Sequence, residues 1–490
     1  MGDRNMVGLA LLLLADWPWS TDVRVDDATG TSDQNETAFS PYGGGWNDYR
    51  TGSWRYGFSG STDQGATWMT NQQHHYTQYS MDCDPVLGTD RLGRLHEIDL
   101  NFYSNGVLVH RMSTDMGQTW SSWHAVSQNG STGLSDKPWL AFSPSTDTLY
   151  VCYILFYTSQ DGAYVCRSTN NGTTWTEQRV SAIGTMSRPF ICTDKAGNVF
   201  VIWINWNTMD YYMAYSTNGG TSYSTPSLVT HSYYTWDSHR ASMIPWIMGG
   251  PAGTVYFVWA DERYSSSQQY DILFMKTTNY GTNWSTPVAI NTLTGRGHKV
   301  ALPALAVTPY GDLIAVWAQY SGGTWSLQYA YSVNGGTTWQ ITPSATGRIS
   351  DANWPLSYGQ TGMEMGDYLT AYADSQYAYA LWADDRTGEY KIYFSKARLS
   401  DLIPTSAREE AAKAEMGIMQ IAGGFVLTLS GNQDVSVEIY DPAGRLVSEP
   451  FKGTLGAGEH AFAWPSLNQG VYLATVRVGD RMTNLKFAAR

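Results

Sequence analysis

STDMGQTW, Ser113 to Trp120, is written six times along this chain with small changes. The other copies are STDQGATW from Ser61, STNNGTTW from Ser168, STNGGTSY from Ser216, TTNYGTNW from Thr277 and SVNGGTTW from Ser332. Their starts fall 48 to 61 residues apart, and self-similarity at such a period marks a repeat architecture. Each copy follows a run rich in β-branched and aromatic residues, such as VLVHRM, DILFMK or LQYAY. Further upstream stand apolar runs ending in Trp, such as NVFVIW, TVYFVW and LIAVW, and both kinds read as strands. A proline opens the first strand of five repeats, at Pro85, Pro138, Pro189, Pro245 and Pro303. In four of these a glycine follows eight residues later, at Gly93, Gly197, Gly253 and Gly311. The repeat is therefore one unit of about four strands.

The motif itself is built as a turn. Gly65, Gly117, Gly172, Gly220, Gly281 and Gly336 supply the positive φ that a tight turn needs. Asp63 and Asp115, or Asn170, Asn218, Asn279 and Asn334, accept hydrogen bonds from the turn's own backbone. The closing Trp, replaced by Tyr223 in the fourth copy, packs between neighbouring sheets. Asp and Asn serve alike, so the motif makes fold and not chemistry.

The pattern S/T-x-D/N-x-G-x-T-W resembles the Asp box, or bacterial neuraminidase repeat, of sialidase-like β-propellers. The resemblance spans about Trp19 to Leu399. It implies an all-β chain, and it is specific for fold rather than for activity. A further repeat, Tyr377 to Leu399, lacks the motif and a fourth strand. WSTDVRVD, from Trp19, is similar to WSTPVAIN, from Trp284, and is expected to supply that missing outer strand and close the ring. The expected architecture is a seven-bladed β-propeller, with six blades as the alternative, followed by a small immunoglobulin-like β-sandwich.

The boundaries follow from composition. Residues 1–15 hold the ten-residue apolar run MVGLALLLLA, too short to span a bilayer and suited to a signal peptide. The propeller occupies 16–399, and SDLIPTSAREEAAKAE, 400–415, reads as a linker. From 416 to 490 short alternating strands form the sandwich. Its VEIYDPAGRLV and LNQGVYLATVRVGDRMTNLKF stretches resemble the C-terminal sorting domain of type IX secretion substrates. That resemblance implies the type IX secretion machinery as a partner, and a place outside the cell or on the outer-membrane surface of a Gram-negative bacterium.

A net charge of −13 argues against nucleic-acid binding, which needs clustered Lys and Arg. No segment reads as transmembrane, no Cys/His spacing reads as a metal site, and no motif implies a cofactor. Cys152 and Cys166 fall near-opposite on one expected hairpin, where a disulfide and two buried thiols are both open readings. Cys83 and Cys192 have no evident partner.

Propeller ligands sit at the mouth of the central funnel, so the residues just before the recurrent prolines matter most. These are Asp84, Lys137 with Asp136 beside it, and Arg188. In the next two repeats the basic residues stand earlier, as His239-Arg240 and His298-Lys299. GMEMGDYL offers Glu364, Asp367 and Tyr368, and the first repeat offers Glu36. Lys137, Arg188, His239, Arg240, His298 and Lys299 together would hold an anionic sugar. Asp84, Glu364 and Asp367 would act as acid, base or nucleophile, and Tyr368 enters because sialidases use a tyrosine nucleophile. Charged loops that merely pair with one another are the plainer reading. The Arg-Ile-Pro motif of sialidases is absent from the first repeat, and Arg188-Pro189 is a distant echo of it. Trp46, Trp54, Trp206 and Trp325 are candidates for stacking on sugar faces. His74-His75 reads as a base, a metal ligand or, more ordinarily, part of a solvated loop.

The sequence thus points to a secreted or cell-surface sialidase-like propeller acting on extracellular glycans, with glycoside hydrolysis of an anionic sugar as its chemistry. A uronate lyase using His239 and Tyr368 is a variant of that reading. The alternative is a non-catalytic propeller that binds glycan or a surface protein.

Overall fold

The structure is a computed structural model. It describes residues 17–29, 32–103, 105–128, 133–233, 244–264, 269–293, 299–342, 346–355, 365–407 and 416–489, the last range without 422, 430–432, 457 and 480. The chain divides into two compact units, Met1–Leu402 and Ile403–Arg490. None of the described helices is long and apolar enough to cross a membrane.

The larger unit is made of antiparallel four-stranded meanders. The first sheet runs Gln34–Ser40, Gly43–Asp48, Arg55–Gly60 and Gln72–His74. The second begins with Met81–Thr89 and Leu95–Phe102, the third with Leu134–Phe142 and Leu149–Phe156, and the two are joined by a single parallel pairing of Leu134 with Gly106. The fourth opens with Met186–Thr193 and Val199–Asn205, the fifth with Trp246–Gly249 and Val255–Asp261, the sixth with Lys299–Val307 and Leu313–Ser321. The seventh holds Thr370–Ala373, Tyr377–Asp384 and Lys391–Arg398. Its fourth strand comes from the other end of the chain, where Val23 pairs with Phe394 and Arg24 with Tyr393. First strands neighbour one another in order round the unit, and Gln34–Ser40 meets Thr370–Ala373. That radial arrangement is a β-propeller. The middle strands read as unbroken apolar runs because both of their faces are covered, as in VFVIW of the fourth sheet, where Val199 to Trp203 are all buried.

The six-fold motif joins each sheet to the one before it. In every copy the first Ser or Thr hydroxyl accepts the glycine N–H, as Ser61 does from Gly65 and Thr277 from Gly281. The Oδ1 of the third residue accepts the N–H four positions on, whether it is Asp63 or Asn170. The other side-chain atom changes role with the residue. Thr67 and Thr119 hydroxyls donate to Oδ2 of Asp63 and Asp115, whereas Nδ2 of Asn170, Asn218 and Asn334 donates to the hydroxyls of Thr174, Ser222 and Thr338. A hydroxyl can play either part, so Asp and Asn are interchangeable there. The glycine is needed twice over. Gly172 has φ +78, and a Cβ on it would lie 2.0 Å from the His110 ring of the preceding sheet. The closing tryptophans pack the same way, Trp120 on Phe58 and Trp175 on His110.

The smaller unit is a β-sandwich. Met416–Ile421, Gly424–Leu429 and Gly458–Ala463 form one sheet; Leu446–Leu455, Gln433–Tyr440, Gly470–Val478 and Arg481–Ala489 form the other. Phe425, Leu427, Val435, Val437 and Val476 share one core between them.

Of the two open readings for Cys152 and Cys166, the structure holds the buried thiols. Cys152 stands opposite Val165, and Cys166 opposite Val151. Side chains alternate faces along a strand, so this one-residue offset sends the two sulfurs to opposite sides of the sheet. All four cysteines are free.

Candidate functional site

The first strands of the sheets share a device that aims side chains inward. Five of them carry a β-bulge at the same place: between Asn35 and Thr37, Cys83 and Val86, Asp136 and Trp139, Ser187 and Phe190, and Ala301 and Ala304. The residue in the bulge has left-handed backbone: Glu36 at φ 53, Asp84 at 51, Lys137 at 54, Arg188 at 48 and Leu302 at 53. Left-handed residues other than glycine are strained, by about 1–3 kcal/mol each. A bulge re-aims its side chain, and here it breaks the ladder beside the site. Leu302 shows that the bulge alone belongs to the fold. Charged residues stand on it in the first four sheets.

Three of these charges meet in one pocket of about 220 Å³, lined by Asn35, Glu36, Asn47, Trp54, Cys83, Asp84, Leu100, Phe102, Leu134, Asp136, Lys137 and Asp367. Lys137 Nζ lies 2.8 Å from Asp84 Oδ2, 2.8 Å from Asp367 Oδ2 and 3.9 Å from Asp136 Oδ1. The first two oxygens are thus within twice that shorter distance of each other, on the close side of the roughly 5–10 Å that separates glycosidase carboxyl pairs. Asp367 reaches the pocket because Gly366, at φ +77, lies against Glu36, where a Cβ would stand 2.1 Å from Glu36 Cγ. The Asp367 N–H donates to Glu36 Oε1, and Asn47 donates to Glu36 Oε2.

Four carboxyl groups share one lysine, and the excess charge is relieved by protons. Burial pushes the Glu36 carboxyl well above the usual range; Asp84 and Asp367 add to this and Lys137 opposes it. Asp136 is pushed up to about 6, again by burial first, with Lys137 opposing and Asp84 and Asp367 adding. It is the most open of the acids on Lys137, with 24% of its side chain exposed. Burial works against charge on Lys137, but Asp367, Asp84 and Asp136 outweigh it and hold the ammonium well above its ordinary value.

Asp84, Asp367 and Lys137 thus come together in one pocket, where Lys137 already serves carboxylates. A sugar carboxylate at Lys137 would have to compete with them. Arg188 holds the equivalent bulge in the fourth sheet but is absent from the pocket wall; its guanidinium stands 5.5 Å from the Trp206 ring. Lys299 is absent from the pocket wall. It begins its strand opposite Tyr320, and the bulge of that sheet holds Leu302 instead. Tyr368 is buried, with its ring 5.6 Å from Lys137 Nζ and 5.6 Å from the Trp139 ring. Burial pushes its hydroxyl well up, which opposes a role as nucleophile. Glu364, His239, Arg240 and His298 lie outside the described residues.

The tryptophans also sort themselves. Trp46 and Trp325 are buried and cannot stack on a ligand, Trp54 stands in the pocket wall, and Trp206 is half-buried. His74 is buried rather than solvated, bonded through Nδ1 to Glu97 Oε2 at 2.8 Å beside Arg111, while His75 contacts Asp82. Among the described residues no three His, Cys, Asp or Glu are grouped to hold a metal ion. Glu36 belongs to the site more fully than the sequence indicated. It has no proline after it, so only its bulge aligns it with Asp84. Asn47, Leu100 and Phe102 carry no sequence signal of their own.

No family model and no curated protein matches the chain. Solved structures that resemble it include a Hadza microbial sialidase, at 15% identity and TM-score 0.44 over 71% of this chain and 74% of that one. An ulvan lyase of a polysaccharide lyase family has 10% identity and TM-score 0.48 over 76% of this chain and 95% of that one. A Trypanosoma rangeli sialidase mutant with trans-sialidase activity has 10% identity and TM-score 0.42 over 95% and 88%. These likenesses lie below a TM-score of 0.5, and no activity is carried from those proteins to this chain.

Proposed function

We propose that this chain is an exported glycan-active propeller that hydrolyses glycosidic bonds in its carboxyl-rich pocket. The observation that carries this is the carboxyl excess: among the described residues of one pocket, Glu36, Asp84, Asp136 and Asp367 gather round a single lysine, Lys137. Glycoside hydrolysis needs a carboxylic acid that still holds its proton near neutrality and a second carboxylate nearby. Asp136, pushed up to about 6 and partly open, fits the acid that protonates the leaving oxygen. Asp84 and Asp367, paired with Lys137, fit the carboxylate role, and Glu36 holds a further proton beneath them. With Lys137 so engaged, the ligand is a neutral glycan rather than an anionic one.

We count seven blades, one for each four-stranded meander, and read the eight-residue motif as an Asp box. We also read residues 416–490 as a sorting domain for type IX secretion and place the protein outside the cell or on the outer-membrane surface. The second reading, a propeller that binds glycan without turnover, draws on the same Lys137 pairs, because they occupy both carboxylates.

The test is a panel of neutral, uronate-containing and sialylated glycans incubated with the whole chain, with products followed by mass spectrometry. Product from neutral glycans that disappears in Asp136→Asn supports hydrolysis. Retention without product supports the binder, and product only from acidic glycans overturns the neutral-ligand reading.

A further inference from the structure

Tyr49, Tyr103 and Tyr157 occupy one equivalent position, the residue that follows the second strand of the first, second and third sheets, and they are equally spaced in the chain. They are 40%, 72% and 81% exposed. Each is tied to a second aromatic. The Tyr49 ring packs 4.9 Å from that of Trp54, a wall residue of the pocket. Tyr103 follows Phe102, another wall residue. Tyr157 follows Phe156, with ring centroids 6.0 Å apart.

Two contrasts set these residues apart from ordinary surface aromatics. In the fourth sheet the same position is Trp206, but in the fifth, sixth and seventh it is Glu262, Gly322 and Asp385. The turns of the fifth and seventh sheets are closed by Arg263 on Asp261 and Arg386 on Asp384, as Arg50 closes that of the first on Asp48, so the aromatic residue and not the ion pair makes the contrast. The aromatic residues thus stand over the four sheets whose bulges carry Glu36, Asp84, Lys137 and Arg188. Second, Tyr157 has φ +66, a left-handed backbone that bulky side chains seldom adopt, and so exposed a ring gains little from burial in return. Strain of that kind collects at binding sites.

We propose that Tyr49 with Trp54, Tyr103 with Phe102, and Tyr157 with Phe156 form a track of stacking subsites for consecutive rings of a neutral polysaccharide, and that the pocket takes one ring of that chain. The substrate is then a polymer, not a lone terminal sugar. Tyrosine suits the task, since its apolar ring covers the C–H face of a sugar while its hydroxyl stays wet. This rests on the glycan reading of the pocket, whose carboxyl excess also disfavours an acidic chain.

The test uses the whole chain carrying Asp136→Asn, titrated calorimetrically with ladders of cello-, xylo-, manno- and arabino-oligosaccharides from one to six units. One ladder is expected to bind more tightly with length. Tyr103→Ala and Tyr157→Ala should each lose about tenfold in affinity for the longer members. Both should melt like the parent because the rings are exposed. Tyr310→Ala, 62% exposed on a turn between the first and second strands of the sixth sheet, should bind unchanged. Binding that does not depend on length, or that survives both substitutions, overturns the track and leaves the pocket reading standing. No binding by any ladder overturns both.

Discussion

Lys137 Nζ and Asp84 Oδ2 face each other at 2.8 Å from left-handed bulges on neighbouring sheets. Asp367 meets the same ammonium at the same distance, and all three side chains are less than a tenth exposed. A buried pair is costly to break because the partner left behind is an unpaired charge, worth about 3–5 kcal/mol. Lys137→Met should destabilise the propeller by that order. Protons can replace the lost lysine, so the loss should be smaller at pH 5 than at pH 8 in urea denaturation. An equal loss at both values would mean that the carboxylates do not depend on Lys137.

Gly366→Ala attacks the same site from the seventh sheet. Its backbone is left-handed, and the new Cβ would meet Glu36 Cγ at 2.1 Å. A stability loss of about 1–3 kcal/mol is expected, with any turnover falling further because Asp367 is displaced. Melting and turnover measured together check this; unchanged melting would place Gly366 away from Glu36.

Stability should fall as pH rises. Burial pushes Asp22 up to about 7 and Asp136 up to about 6, and it holds Asp99 and Glu36 well above the usual range. A carboxyl raised in the fold binds more protons folded than unfolded, so its contribution is present at low pH and is lost as pH climbs through the folded value. For Asp136 and Asp22 that window runs from about pH 4 to about 6 and 7, at about 1.4 kcal/mol per unit for each group. Asp22 sits where the N-terminal strand meets Arg386 of the seventh sheet, 2.8 Å away. Asp22→Asn should flatten the decline seen in chemical denaturation between pH 5 and 8. An unchanged slope would remove Asp22 from the account.

The repeated turn makes a graded prediction. Asp63→Asn should change stability by no more than about 0.5 kcal/mol, since Asn fills the same place in four other copies. Asp63→Ala should cost about 1–2 kcal/mol for the lost turn bonds. Gly172→Ala should cost more than either, because its Cβ would enter the His110 ring. Thermal melts of the three variants rank them, and any other order contradicts the turn as described.

Much of the fold was legible because its hardest requirement is local. A left-handed glycine, an Asp or Asn acceptor and a closing aromatic must stand at fixed offsets, and they are repeated wherever a sheet is stapled to its neighbour. The ring-closing strand was legible for the same reason, as a copy of WSTPVAIN. The bulges were legible where a proline follows, at Asp84, Lys137 and Arg188, and the first two of these line the pocket. The bulge was obscured at Glu36, which lacks the proline, while in the sixth sheet the proline marks a bulge that holds Leu302, three residues after Lys299. Facing decided the rest. Trp46 and Trp325 looked as able to stack as Trp54, and Cys152 looked opposite Cys166, because a one-residue change of register reverses which side of a strand a residue shows.

The measurement that bears most directly on the pocket is the pH dependence of kcat/KM for the first neutral glycan found to be cleaved. If Asp136 donates the proton, the rate should fall about tenfold per unit above an apparent pKa near 6, and Asp136→Asn should abolish that limb along with most of the activity. A rate that is level or rising from pH 6 to 8, or an Asp136→Asn variant that cleaves like the parent, would contradict the account.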